Sequence, residues 1–300
     1  MSILNMTNDG LFNVLIVLVR ALVSFGPKPR SELLKACGED LVMVESRQLN
    51  NTLTRWTELG LFEVVTGNVA IAEGHRAALG KPADVAEARL PKIVRMIALA
   101  PENNARFWGS EGNKSADLSR GLSWILAQNI YTIDTSSHAK IQLLENDQIP
   151  DLSQRIFGND TRWNGLRTWM VYLGFGRTGS QVTVDPTDAL RDALSDIFVR
   201  EAILPAAEFV SRAADILPVL DGGEYRKQME AVLNPAQWSA PAEGRISMSL
   251  SRAIQRLDRE GLIATQQKSD SEDGITLQGS STDSWREMTH IRRLPLKRAK

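Results

Sequence analysis

Across 300 residues, 35 Lys and Arg stand against 36 Asp and Glu, so the formal net charge is −1 and no global field draws the chain to nucleic acid or to an anionic membrane. A hydrophobic content of 43% supports one large domain, or two to three small ones, with real cores. One cysteine, Cys37, excludes an intramolecular disulfide, and His75, His138 and His290 are too scattered for zinc-ligand spacing, so no metal is expected and Cys37 reads as an inert helix residue.

The first apolar run, 11–25, follows the cap candidates Thr7, Asn8 and Asp9 and contains Asn13 and Arg20. It is shorter than the ~20 apolar residues of a membrane span. No basic region precedes it and no small-residue cleavage site follows it, so a secretory leader is not expected and the reading is a buried helix of a cytoplasmic protein with no membrane partner. Gly26, Pro27 and Pro29 stop it, residues 29–37 form a short second helix closed by Gly38, and a loop follows. The third helix, 45–59, sets Leu49, Leu53 and Trp56 on one core-facing stripe. Gly60 is a left-handed stop, after which 61–65 and 68–71 flank Thr66-Gly67 as a hairpin: the wing of a winged helix-turn-helix.

The design recurs near the C-terminus, where Leu250, Ile254 and Leu257 form the stripe, Gly261 ends the helix, and 262–264 and 275–277 are expected to pair. Setting Gly60 on Gly261 aligns Leu53 with Ile254, Trp56 with Leu257 and Leu61 with Leu262. A weaker third copy combines a helix at 161–173, Gly174, and strands near Phe175 and 181–184. Further helices are expected at 85–99, 118–129, 187–198, 202–217 and 225–233, with linkers at 80–84, 101–115, 217–224 and 234–243. The fold class is therefore mainly α with small β-hairpin wings, built as tandem winged helix-turn-helix-like units joined by helical segments. The domains are 1–80, 84–186 and 187–278, followed by a basic flexible tail at 279–300.

In such units the third helix enters the major groove, where arginine pairs with guanine and Asn or Gln with adenine. Arg47, Gln48, Asn51 and Arg55 suit that chemistry on the first unit, and Arg245, Arg252, Gln255, Arg256 and Arg259 make a more basic surface on the last. The same faces would equally serve a protein partner or form a solvated surface. Trp56, Trp124, Trp163 and Trp169 fall in apolar helical patterns and are expected in cores; Trp108 and Trp238 fall in loops and are better interface candidates. No phosphate loop, dinucleotide fingerprint or nucleophile elbow is present, so neither a cofactor nor catalysis is expected. Asp134, Ser136, Ser137 and His138 are close in sequence, but a triad is defined by geometry.

Met1-Ser2-Ile3-Leu4-Asn5, the helix entry Asn8-Asp9-Gly10-Leu11, the Gly26-Pro27 stop and the passage Trp56-Thr57-Glu58-Leu59-Gly60-Leu61-Phe62 together resemble the DpdG family. That family is encoded in bacterial clusters that place 7-deazaguanine bases in DNA and protect the cell against foreign DNA. The resemblance implies a cytoplasmic accessory protein of a DNA modification and restriction system acting in phage defence, with other subunits of the system as partners, and it carries over no catalytic residues. The leading expectation is a non-enzymatic adaptor contacting double-stranded DNA, partner subunits or both through its winged helices. The rivals are a protein-binding scaffold without DNA contact and a winged-helix transcriptional regulator.

Overall fold

Leu15, Leu18, Val19 and Leu22 recur at helical spacing and are all buried in α1 (Phe12–Phe25), the helix on which the first unit is assembled. The structure, a computed structural model, describes residues 3–4, 12–41, 46–109, 114–268, 274–280 and 284–295. It is mainly helical with small antiparallel sheets. The expected caps Thr7, Asn8 and Asp9 lie outside the described residues.

After α1 come β1 (Lys28–Pro29), α2 (Arg30–Ala36), α3 (Ser46–Glu58), β2 (Phe62–Val65) and β3 (Asn68–Ile71). The three strands form an antiparallel sheet in the order β1-β3-β2, with Phe62 opposite Ile71 and Lys28 opposite Val69. Thr66 and Gly67 both have positive φ, 49° and 82°, as a two-residue hairpin turn of primed type requires. Next are α4 (Glu73–Leu79), α5 (Ala83–Leu99), α6 (Pro101–Asn104), α7 (Ala116–Leu126), α8 (His138–Gln148) and α9 (Asp160–Tyr172).

The chain divides into two compact units, Met1–Leu118 with Thr161–Leu173, and Ser119–Asp160 with Gly174–Lys300. In the first unit α5 packs on α1 and α4, and Arg20 pairs with Asp84 and Glu87. From far along the sequence α9 returns to the same core. Its Trp169 meets Trp56 and Phe12 at centroid distances of 5.7 and 6.1 Å, and Tyr172 stacks on Phe12 at 4.5 Å. Buried Arg95 donates to the Leu173 carbonyl, and the buried Asn103 amide donates to the carbonyls of Leu59 and Ile97, so polar side chains satisfy helix ends that would otherwise be orphaned. Part of 101–115 is thus a helix with buried amides rather than a linker, because Asn103 and Asn104 have carbonyls to bond.

In the second unit follow β4 (Gly176–Arg177), β5 (Thr183–Val184), α10 (Thr187–Ile197), β6 (Ile203–Pro205), α11 (Ala206–Ile216), α12 (Glu224–Glu230), α13 (Met248–Arg259), β7 (Ile263–Gln266), β8 (Ile275–Gln278), β9 (Ser284–Met288) and β10 (His290–Arg293). The order β6-β10-β7 repeats the topology β1-β3-β2, with α10, α11 and α13 in the places of α1, α2 and α3. Pro29 and Pro205 each precede the second helix of their repeat with nearly the same backbone, φ −52° and ψ 144° against φ −53° and ψ 145°. The repeat anticipated between Gly60 and Gly261 therefore extends over the whole three-helix, three-strand unit.

Three expectations are corrected. The segment 262–264 does not pair with 275–277; β7 pairs with β10, and β8 pairs with β9 as an inserted hairpin. The tail 279–300 is not simply flexible: β10 is the central strand of its sheet, because Ile291 alternates into the core between His290 and Arg292, a period the basic composition concealed. Residues 281–283 and 296–300 of that tail lie outside the described residues. The third copy is divided, since α9 puts its aromatic face into the first unit while β4 and β5 belong to the second.

A β-branched residue in the left-handed region is strained, and asparagine there is not. Thr66→Asn is expected to raise stability by about 0.5–1 kcal/mol, measured by urea unfolding of the intact chain.

Candidate nucleic-acid interface

The polar side of α3 exists because Leu49, Leu53 and Trp56 fix the opposite side in the core. From α2, the Arg30 guanidinium donates to the Asn50 side chain and carbonyl and to Thr54 Oγ1 at 2.9–3.3 Å, which clips the second helix to the third. Arg47 is exposed and Gln48 and Asn51 are half-buried on the side left over; their side chains form no hydrogen bond or ion pair among the described residues. Arg55 is different. It is only 4% exposed and pairs with Glu58 at 3.1 Å, so it belongs to the buried side and is not part of this surface. Arg55 follows Leu53 and Thr54 in a helix packed on more than one side, and the polarity of its side chain alone hid that.

On α13 the expected basic surface is largely committed within its own unit. Ser247 caps the helix, accepting from the Leu250 N–H, and is itself held by the Asp221 carboxylate through its N–H and hydroxyl at 2.6 and 2.7 Å. Arg252 lies over the Tyr131 ring at 4.6 Å. Arg256 pairs at 3.0 Å with Asp185, a carboxylate only 1% exposed that also receives Arg177 at 3.1 Å and the Thr187 N–H at 3.0 Å. Gln255 is half-buried. Of the five residues expected to form the surface, Arg245 and Arg259 are exposed. Sequence reasoning missed Asp185, whose signal is an acid just before a helix start, at Asp185-Pro186-Thr187.

The Asp134 cluster does not form a relay. Its carboxylate accepts from Lys140 and from the Ser136 hydroxyl and N–H, contacts that hold it well below the ordinary carboxylate range, whereas His138 is bonded to the Phe157 carbonyl at 2.9 Å. Burial pushes the Cys37 thiol up to about 11, so it is protonated and unreactive at neutral pH. Among the described residues no group of His, Cys, Asp and Glu could hold a metal ion, and no helix is long and apolar enough to cross a membrane.

A family model described as DpdG-like matches residues 1–271. The chain belongs to the DpdG-like family. Membership of the DpdG-like family associates it with the dpd modification system. No curated protein and no solved structure matches the chain.

The contrast between the two helices is measurable as stability. Arg256→Ala leaves the buried Asp185 with one fewer cation and is expected to cost about 1–2 kcal/mol, less than a fully buried pair because the arginine is partly solvated. Arg47→Ala is expected to stay within about 0.5 kcal/mol of the parent in the same denaturation assay.

Proposed function

We propose that the first unit is a winged helix-turn-helix that lays α3 in the major groove of duplex DNA, and that the chain is a non-enzymatic, cytoplasmic adaptor of the dpd modification and restriction system in phage defence. The observation that carries this reading is the order α1-β1-α2-α3-β2-β3 with sheet order β1-β3-β2, presenting Arg47, Gln48 and Asn51 on the outer side of the third helix. Arg47 supplies a cation for phosphate or a guanine edge, and the two amides suit adenine. Arg30, at the α2–α3 clip, adds a second exposed cation beside the same helix. The β2-β3 hairpin stands where a wing flanks the groove. On the second unit, the same topology with Arg252 and Arg256 engaged favours a structural or subunit-contacting role over groove reading.

A scaffold reading draws support from one feature. Val64 and Val65 are 61% and 48% exposed on β2, an edge strand with an unpaired side among the described residues, and apolar edge residues suit a protein partner.

Binding of the intact chain to a labelled duplex, followed by fluorescence anisotropy between about 50 and 200 mM salt, separates the two. On the DNA reading affinity falls steeply with salt, and Arg47→Ala weakens it by about 1–3 kcal/mol and lowers the salt slope by about one. Absence of binding at low salt, with Val64 and Val65 substitutions abolishing capture of a partner subunit, would replace it with the scaffold reading.

A further inference from the structure

The second unit contains a cavity of about 500 Å³, within the ~300–1,000 Å³ typical of small-molecule sites. Its walls come from the 127–134 loop, from α8 and from the 237–248 segment, a stretch whose composition reads only as linker. That segment is anchored: the Asn234 N–H donates to the Gln148 carbonyl at 2.7 Å, and the Trp238 N–H to the Asn234 carbonyl at 3.0 Å. The Trp238 indole N–H donates to the Ala127 carbonyl at 3.0 Å, so a half-buried aromatic ring on the cavity wall has a fixed orientation.

Gln128 and Gln148, 5% and 3% exposed, also line the cavity. Indole N–H can only donate, so the Trp124 bond at 2.9 Å fixes the Gln148 oxygen toward it and leaves the Gln148 nitrogen to donate to Gln128 Oε1, also at 2.9 Å. The Gln128 nitrogen then donates to the Trp124 carbonyl at 2.9 Å. Each amide nitrogen carries a second N–H that no bond among the described residues uses. The wall thus offers oriented donors whose oxygens are already satisfied.

Two cations line the cavity. Lys140 is neutralised by Asp134 at 2.5 Å. Arg245 is exposed, its backbone is held by its N–H bond to the Ala242 carbonyl and by the bridge to Thr276, and its guanidinium has no partner among the described residues. An oriented aromatic wall, buried amide donors and an uncommitted guanidinium match a planar ring with acceptor atoms on its edge, joined to a phosphate.

We propose that this cavity binds one nucleotide, its base along Trp238 and toward Gln128 and Gln148 and its phosphate at Arg245. The nucleotide is either free or a single unit of a DNA strand, and the proposal is independent of groove docking by α3.

Calorimetric titration of the intact chain with dGMP, deoxyguanosine and inorganic phosphate tests it. Saturable dGMP binding at Kd ~1 mM or tighter is expected, with phosphate alone at least about tenfold weaker. Arg245→Ala, an exposed change that spares the core, should weaken dGMP about tenfold or more and deoxyguanosine less than about twofold. If a single-stranded tetranucleotide displaces dGMP, the source is a DNA strand; if it does not, the source is a free nucleotide. Absence of saturable dGMP binding up to about 5 mM, equal binding of phosphate alone, or an affinity unmoved by Arg245→Ala would overturn the proposal.

Discussion

The conformation at Gly60 and Gly261 is the constraint on which both repeats depend. Each glycine takes a positive φ, 97° and 71°, at the end of the third helix, and each lets the next residue's N–H reach back five residues, Leu61 to Trp56 and Leu262 to Leu257, at 2.9 and 3.0 Å. The paired bonds from Gly60 to Thr57 and from Gly261 to Asp258 complete the cap. A side chain at either site would be strained by roughly 1–2 kcal/mol, so glycine sets the direction in which the chain leaves the helix. That direction places Phe62 and Ile263 in the core as the first residues of β2 and β7 and leaves the opposite side of the helix outward.

What is then done with the outward side differs between the repeats. In the first unit the clip from Arg30 uses Asn50 and Thr54 and leaves Arg47, Gln48 and Asn51 uncommitted among the described residues. In the second, Asp185 is buried where two arginines and a helix N-terminus can meet it, and Arg256 is drawn into that pairing while Arg252 settles on Tyr131. A buried carboxylate requires such partners, so the basic composition of α13 answers an internal demand as much as an external one. Near-neutral total charge is consistent with this use of arginines inside the molecule.

The features legible in the sequence were local ones. An apolar run with a Gly-Pro stop marks α1, stripe spacing marks α3 and α13, the two glycine caps align the repeats, and the tryptophans expected in cores, Trp56, Trp124, Trp163 and Trp169, are buried. Pairings between distant segments were not legible. Strand β10 is short and rich in basic residues, and its partners β6 and β7 lie well upstream in the sequence with nothing local to name them. Helix α9 reads equally well with its neighbouring hairpin until its aromatic face finds Phe12 and Trp56. Side-chain fate was similarly hidden for Arg55 and Arg256, since an arginine in a helix has the same letter whether it faces water or a buried acid.

In the function we propose, α3 is the helix open to duplex DNA, whereas α13 is engaged within its own unit. Hydrogen–deuterium exchange of the intact chain with and without duplex DNA tests it directly. The account predicts slowed exchange across Ser46–Glu58 and the β2-β3 hairpin, with Met248–Arg259 unchanged. Protection confined to Met248–Arg259, with Ser46–Glu58 unaffected by bound DNA, would contradict it.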